Sequence, residues 1–168
     1  NYKNTLKLVD IFLPNSSKEW EIIQKKIYKD ANYHVINNAV DKNIFKIKNG
    51  INRKNETILA SRIDPRKNIL NLVKAIKTRK VNIYGDPSNF HSNYFDQVKK
   101  HSNNNINFNS HVEPKKLADL FNAHLIHILP SWLETPGLSQ LEAAACGCNI
   151  VSTSKGSAVE YFGNMAKY

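Results

Sequence analysis

The chain has 168 residues, 41% of them hydrophobic and 10% aromatic, which is enough to bury one proper core and too little for two full-sized domains. No apolar run approaches the roughly 18 residues that a membrane-spanning helix needs, and the nearest, Leu6–Leu13, is interrupted by Lys7 and Asp10. A formal charge of +10, from 24 Lys and Arg against 14 Asp and Glu, favours polyanions or phosphorylated ligands without choosing among them.

The first residues form the least regular part of the chain. They hold one apolar segment (Leu6–Leu13), an expected helix around Lys18–Tyr28, an expected strand near His34–Ile36, and a polar stretch from Asp41 to Glu56 rich in Lys and Asn. Residues 1–33 are read as the remnant of a preceding domain or a linker, and 34–168 as the main domain. The chain opens at Asn1 without a Met and stops at Tyr168 with no closing element in view, so a fragment of a longer protein is expected.

From residue 57 short apolar strands alternate with amphipathic helices, the signature of a parallel sheet built from βαβ units. Thr57–Ser61 reads as a strand, and Asp64-Pro65 then starts a helix with Ile69, Leu72, Val73 and Ile76 on one face. Val81–Tyr84 is the next strand, followed after Gly85-Asp86-Pro87 by a helix with Tyr94, Phe95 and Val98 inward. Ile106–Asn109 is the third strand, and Glu113-Pro114 opens a helix with Leu117, Leu120 and Phe121 on its apolar face. Leu125–Leu129 is a strand, Pro130–Gly137 a long loop, Leu138–Cys146 a helix stopped by Gly147, and Ile150–Thr153 a strand. Five parallel strands with helical crossovers make a doubly wound, Rossmann-like α/β domain, whose ligands bind at the carboxyl edge of the sheet.

The loop Pro130–Gly137 leaves a strand at that edge and carries a carboxylate, Glu134. It turns at Pro136-Gly137 into a helix whose free amides can face an anion. Glu142, one turn into the helix, could accept hydrogen bonds from the vicinal diol of a ribose. The simpler alternative is a capping box, Ser139-x-x-Glu142, in which Glu142 satisfies its own helix's amides. Arg62 at a strand end could be merely solvated. Lys67 is expected in the first turn of a helix, where a cation is electrostatically unfavourable, and that misplacement favours an anionic ligand.

The segment from Pro130-Ser131 through Glu134 and Glu142 to Ala143-Ala144-Ala145-Cys146-Gly147, with its glutamates separated by seven residues, resembles the signature of family 4 retaining glycosyltransferases of the GT-B type. Ser61-Arg62-Ile63-Asp64-Pro65-Arg66-Lys67-Asn68 is similar to that family's Gly-Arg-x-x-x-x-Lys-Gly, and Asn37-Asn38-Ala39-Val40-Asp41 followed by Phe45 is similar to its Asn-Gly-Val-Asp-x-x-x-Phe. Ser61, Asn68, Ala39 and His111 depart from it, each standing where a glycine is usual. The resemblance implies the C-terminal, donor-binding half of a GT-B enzyme that moves a sugar from a nucleoside diphosphate to an acceptor hydroxyl with retention, using neither metal nor cofactor. It assigns Arg62 and Lys67 to the diphosphate, Glu134 to sugar hydroxyls and transition-state charge, the Gly137 and Leu138 amides to sugar or phosphate, and Glu142 to ribose. Arg62, Lys67 and Glu134 are the catalytic candidates. The implied partners are the nucleotide-sugar, a glycan, lipid or protein acceptor, and the protein's own N-terminal domain.

Two other classes stay open at this stage: a GT-B nucleotide-sugar epimerase, and a non-catalytic basic module for nucleic acid or anionic membrane. The second should interleave exposed aromatics with Lys and Arg, and no such run is visible, so no nucleic-acid partner is expected. Lysine pairs such as Lys99-Lys100 read as solvated helix faces in preference to a dedicated binding patch, and peripheral contact with anionic membrane stays open. Cys146 and Cys148, one glycine apart, suit neither a disulfide nor a zinc site and read as small buried residues of a cytoplasmic protein. The six histidines lack metal-ligand spacing, and Trp132, Tyr94, Phe95 and Phe121 are expected to be packing residues.

Overall fold

A strand covered on both faces reads as an unbroken apolar run rather than an alternation. Thr57-Ile58-Leu59-Ala60 is such a run, all four residues are buried, and it forms the carboxyl half of β1 (Lys54–Ala60). In the computed structural model, which describes residues 8–26 and 31–168, β1 lies inside a sheet with β2 (Val81–Tyr84), β3 (Ile106–Asn109), β4 (His124–Leu129), β5 (Asn149–Ser152) and β6 (Ala166–Lys167). Every pairing is parallel and the order is β3-β2-β1-β4-β5-β6. The order reverses between β1 and β4.

Successive residues of β1 serve opposite layers, as the pleat requires. Ile58 and Ala60 face a cluster with Phe121, Ala143, Cys146 and Phe162, supplied by α4 (Pro114–Ala123), α5 (Leu138–Ala145) and α6 (Ala158–Phe162). Leu59 faces Ile69, Leu72, Val73 and Val98, supplied by α2 (Ile69–Ala75) and α3 (Ser92–Lys100). The expected Rossmann-like sandwich is therefore present, with one more strand than expected. The two residues of β6 carry no apolar run to announce it.

The helix expected from Asp64 is two elements. The Asp64 carboxylate accepts from the Arg66 amide at 2.9 Å and starts a 3-10 turn, Pro65–Lys67. Asn68 closes that turn in the left-handed region (φ 56°), donating its amide to Pro65 O, before α2 begins. Lys67 thus ends a 3-10 turn instead of opening an α-helix. Asn is among the few side chains that tolerate this backbone, which accounts for the departure from glycine.

Before the sheet, α1 (Ser17–Lys26) covers the expected helix as far as Lys26; the expectation for Tyr28, like that for Leu6 and Lys7, lies outside the described residues. The strand expected at His34–Ile36 is reduced to a single parallel bridge, Phe12 with Tyr33, extended by bonds from His34 N to Phe12 O and Ile36 N to Pro14 O, both 2.9 Å. Trp20 of α1 stacks on Tyr33 with ring centroids 4.3 Å apart. This layer is tied to α6: the Glu160 carboxylate accepts from the Ser17 and Lys18 amides at 2.9 and 3.1 Å, and Tyr161 Oη donates to Asn15 O at 2.5 Å. Burial works against the Glu160 charge, yet those amides hold its carboxyl below the usual glutamate value.

The polar stretch after residue 40 belongs to the domain. Asp41 O accepts from the Ile44 and Phe45 amides and Asp41 Oδ1 from Asn43 N, a turn that sends Phe45 into the core against Phe121. Cys146 and Cys148 are free and buried, and burial pushes the Cys148 thiol up to about 12.

One core residue breaks the apolar pattern. His127, in the middle of β4, is fully buried edge-on to Phe121 with centroids 5.5 Å apart, and neither ring nitrogen has a partner among the described residues. Burial lowers its pKa from 6.5 to about 3. The folded protein therefore holds a neutral imidazole while the unfolded chain takes up a proton below pH 6.5. Stability should fall by about 1.4 kcal/mol per pH unit between these two values. Urea unfolding at pH 7 and pH 5 is expected to show this loss in the native protein and not in His127→Phe; an equal loss in both would remove His127 as its source.

Candidate functional site

The loops after β1 and β4 leave the sheet in different directions because the strand order reverses between them, and a crevice opens at their base. On the β1 side stand Ser61 and Arg62. The loop after β2 presses against them: Gly85 has φ +145°, and a Cβ there would lie 2.0 Å from Ser61 O. Ile63 N donates to Asp86 O at 3.0 Å and Ser88 N to Ile63 O at 3.1 Å. The peptides around Arg62 are thereby fixed. Its side chain is exposed, and the guanidinium has no hydrogen-bonding or acidic partner among the described residues.

Arg62 lines a cleft of about 390 Å³ together with Tyr84, Asp86, His111, Leu117 and Ser139. Burial raises the Tyr84 phenol above its ordinary value. The loop after β3 is held at the cleft by Asp86 Oδ1, which accepts from the His111 amide at 3.2 Å. His111 itself is exposed.

Lys67 and Glu134 meet beside this cleft and do not line it. Lys67 Nζ donates to Glu134 Oε1 at 2.6 Å, with side chains 23% and 6% exposed. Hydrogen bonds between the two loops hold both ends of the pair. Trp132 N donates to Arg66 O and Asn68 Nδ2 to Pro130 O, each at 3.0 Å. On its other side Glu134 donates its amide to Lys155 O and accepts from Ser157 N. Gly156 (φ +98°) makes this approach possible, since a Cβ there would sit 2.0 Å from Glu134 O.

The helix that follows begins at Leu138, with Gly137 as its N-cap (φ 80°) and no side-chain cap. Ser139 is therefore the second residue of α5, and the alternative capping box of Ser139 and Glu142 does not form. Gln140, fully buried, donates from Nε2 to Pro136 O at 3.3 Å and steadies the turn after the cis Thr135-Pro136 peptide. A Cβ on Gly137 would come within 3.0 Å of Glu134 Oε2, so the bare glycine lets the carboxylate lie against the helix start. The first amides of α5, those of Leu138 and Ser139, have no carbonyl one turn earlier in the helix to bond to.

Glu142 lies on the same face of α5 as Ser139, one turn deeper. Its carboxylate makes no hydrogen bond or ion pair among the described residues, and burial raises its pKa above 4.5. The structure thus gathers the predicted residues into three adjoining groups: Arg62 on the cleft wall, the Lys67–Glu134 pair beside it, and Gly137, Leu138 and Glu142 on α5.

Several residues that shape the site were not singled out in the sequence. Arg53 donates from Nη1 to Gly147 O at 2.7 Å and from Nη2 to Cys146 O at 2.6 Å, closing the carboxyl end of α5 with a cation where the helix dipole favours one. Gly156 and Ser157 set the back of the Glu134 loop. Trp132, expected to pack, is instead 62% exposed, while its amide donates to Arg66 O. Among the described residues no cluster of three or more His, Cys, Asp or Glu is present, and no helix is long and apolar enough to cross a membrane.

Residues 41–167, which include all three of these groups, match the family model of glycosyl transferases group 1. The chain belongs to that family. Its fold is similar to sucrose-phosphate synthase from Thermosynechococcus elongatus (TM-score 0.80, 20% identity, 96% of this chain and 44% of that one). A glycosyltransferase from Rickettsia africae gives TM-score 0.80 at 22% identity, over 97% of this chain and 50% of that one. HepE from Anabaena, in complex with UDP and glucose, gives TM-score 0.73 at 21% identity, over 92% and 47%. The chain spans half or less of each of these proteins and corresponds to the C-terminal, Rossmann-like domain of the GT-B architecture. Among curated proteins none matches.

The pairing separates two cations that the sequence treats alike. Arg62→Ala removes an exposed, unpaired side chain and should leave the melting temperature within a degree or so. Lys67→Ala leaves a carboxylate that is almost out of water without its cation, and should cost about 2–3 kcal/mol, below the range for fully buried pairs because Lys67 is partly solvated. Thermal unfolding of both variants distinguishes these outcomes, and equal melting temperatures would mean that the ion pair contributes nothing.

Proposed function

We propose that this domain binds a nucleoside-diphosphate sugar across the β1/β4 crevice, and that within a complete GT-B enzyme it serves retaining, metal-independent transfer of the sugar to an acceptor hydroxyl of a glycan, lipid or glycoconjugate. The observation that carries the reading is the unpaired Arg62 guanidinium on the cleft wall, next to a loop where Lys67 and Glu134 hold each other at 2.6 Å. An exposed cation at the carboxyl edge of a parallel sheet, beside a helix start, suits an anionic ligand. The UDP held by the similarly folded HepE supports a uridine nucleotide among the candidates.

In this reading Arg62 and Lys67 take the diphosphate, which gains negative charge as the glycosidic bond to the phosphate breaks. Fixed cations and the Gly137 and Leu138 amides supply the neutralisation, so no metal is called for. Glu134 accepts from sugar hydroxyls and offsets the positive charge that develops on the ring. Glu142, free of other partners, accepts from the ribose diol. Residues 1–33 belong with the N-terminal half, and their attachment through Glu160 and Tyr161 supports a junction there. We place the protein in the cytoplasm, in peripheral contact with anionic membrane where its positive charge assists.

Calorimetry in EDTA is expected to show UDP or GDP binding with Kd in the micromolar to millimolar range, weakened about tenfold or more by Arg62→Ala. Binding that needs Mg or Mn would overturn the metal-free reading.

A second test uses pH. Glu142 must be ionised to accept two hydroxyl hydrogen bonds, and burial raises its pKa, so affinity for a UDP-sugar should be full at neutral pH and fall on acidification through a value above 4.5. Glu142→Gln should bind more weakly and lose this dependence. Unchanged affinity in that variant would take Glu142 out of the site.

A further inference from the structure

The loop that carries Glu134 is held mostly from within its own domain. Pro130 O accepts from Asn68, the Trp132 amide is bonded to Arg66 O, and Glu134 is bonded on both sides to the 155–157 loop. Its exit is held from elsewhere. Asn15, which lies ahead of the stretch that matches the family model, donates from Nδ2 to Thr135 O at 3.3 Å, and Thr135 has no other hydrogen bond among the described residues. Asn15 is itself anchored. Its amide donates to Glu19 Oε2 at 2.7 Å, and its carbonyl accepts from Tyr161 Oη at 2.5 Å and from Asn37 Nδ2 at 3.2 Å. Tyr161 sits on α6, whose N-cap Ser157 grips the Glu134 carbonyl with its amide at 2.9 Å and its hydroxyl at 3.4 Å. The consecutive carbonyls of Glu134 and Thr135 thus both have α6 behind them.

A carbonyl can only accept, so Asn15 turns Nδ2 towards Thr135, and its Oδ1 is left buried with no partner among the described residues. A buried amide oxygen without a partner costs more than one such bond contributes. The contact therefore adds no stability where it stands, and a local rule broken in this way beside a site points to a functional constraint. What the contact does is geometric. Lys67 fixes the Glu134 carboxylate at one oxygen, whereas the direction in which the side chain leaves the backbone is set by the peptide that Ser157 and Asn15 hold. We propose that Asn15 is a positioning residue for Glu134, so that the sugar end of the donor site is complete only while the segment ahead of the domain stays docked on α6. The inference rests on the proposed donor site. Asn15 acts through Thr135 and touches neither the donor nor the bond that breaks.

Calorimetry on this chain compares UDP and GDP, which end at the β-phosphate, with UDP-glucose, UDP-N-acetylglucosamine and GDP-mannose, whose sugars extend to Glu134 in the proposed site. Asn15→Asp keeps the shape of the side chain and removes its donor. Asn15→Ala also removes the unmet oxygen and should hold the melting temperature, since the backbone bonds to Glu19, Tyr161 and Asn37 remain. Both variants are expected to lower the affinity for at least one sugar nucleotide about fivefold, the worth of one hydrogen bond, and to leave its parent nucleotide within about twofold. Tyr161→Phe should act in the same direction, and the Asn15→Ala/Tyr161→Phe pair should lose less than the sum of the two. A merely structural contact would weaken nucleotide and sugar nucleotide alike. That result, or no change in either, would remove Asn15 from the positioning of Glu134 and leave the donor site standing. Failure of both UDP and GDP to bind the native chain would overturn both readings.

Discussion

A carboxylate almost removed from water needs a cation close by, and in this domain the cation comes from a loop sixty-seven positions earlier. The Lys67–Glu134 contact joins the two loops that flank the reversal in strand order. Everything at the carboxyl edge is arranged around it. Lys67 is delivered by a 3-10 turn that Asp64 starts and Asn68 ends; Glu134 is delivered by a loop clamped between Arg66 and the 155–157 segment. Neither loop could hold its residue in place alone.

The same contact explains why the site is stiff at its floor and open at its wall. The charges of Lys67 and Glu134 satisfy each other, whereas the exposed charge of Arg62 and the half-buried carboxyl of Glu142 are left without protein partners. The sheet keeps them apart, Arg62 after β1 and Glu142 one turn into α5, so that both stay available to whatever enters between.

Much of this was legible in the sequence. The boundaries of β2 and β3 are marked to the residue because polar and turn residues flank each short stretch, Lys80 and Gly85 around one, Asn105 and Ser110 around the other. The Arg62–Lys67 and Glu134–Glu142 spacings pointed to the loops after β1 and β4, where Arg62 stands on the cleft wall and the Lys67–Glu134 pair beside it. What the sequence concealed depended on contacts between distant residues. The Lys67–Glu134 pairing, the Arg53 cap on α5 and the fit of Gly156 against Glu134 O leave no local pattern. The alternative reading of Ser139-x-x-Glu142 as a capping box has the right spacing, but the turn through Pro136-Gly137 puts the N-cap at Gly137, two residues before Ser139, and leaves Ser139 inside the helix. A two-residue strand such as β6 carries too few side chains to show any period.

Arg53 has a practical meaning for where this domain starts. The first strand begins at Lys54, and a boundary drawn there from the sheet alone would look complete. It would discard the guanidinium that closes the carboxyl end of α5 and the Phe45 ring that fills the core against Phe121. The helix whose first amides face the crevice would then be free to fray at its other end, nearly its full length away. The apparently nondescript run from Asp41 to Arg53 is in effect a strap beneath α5, and trimming it would loosen the amino end of that helix, which it never touches.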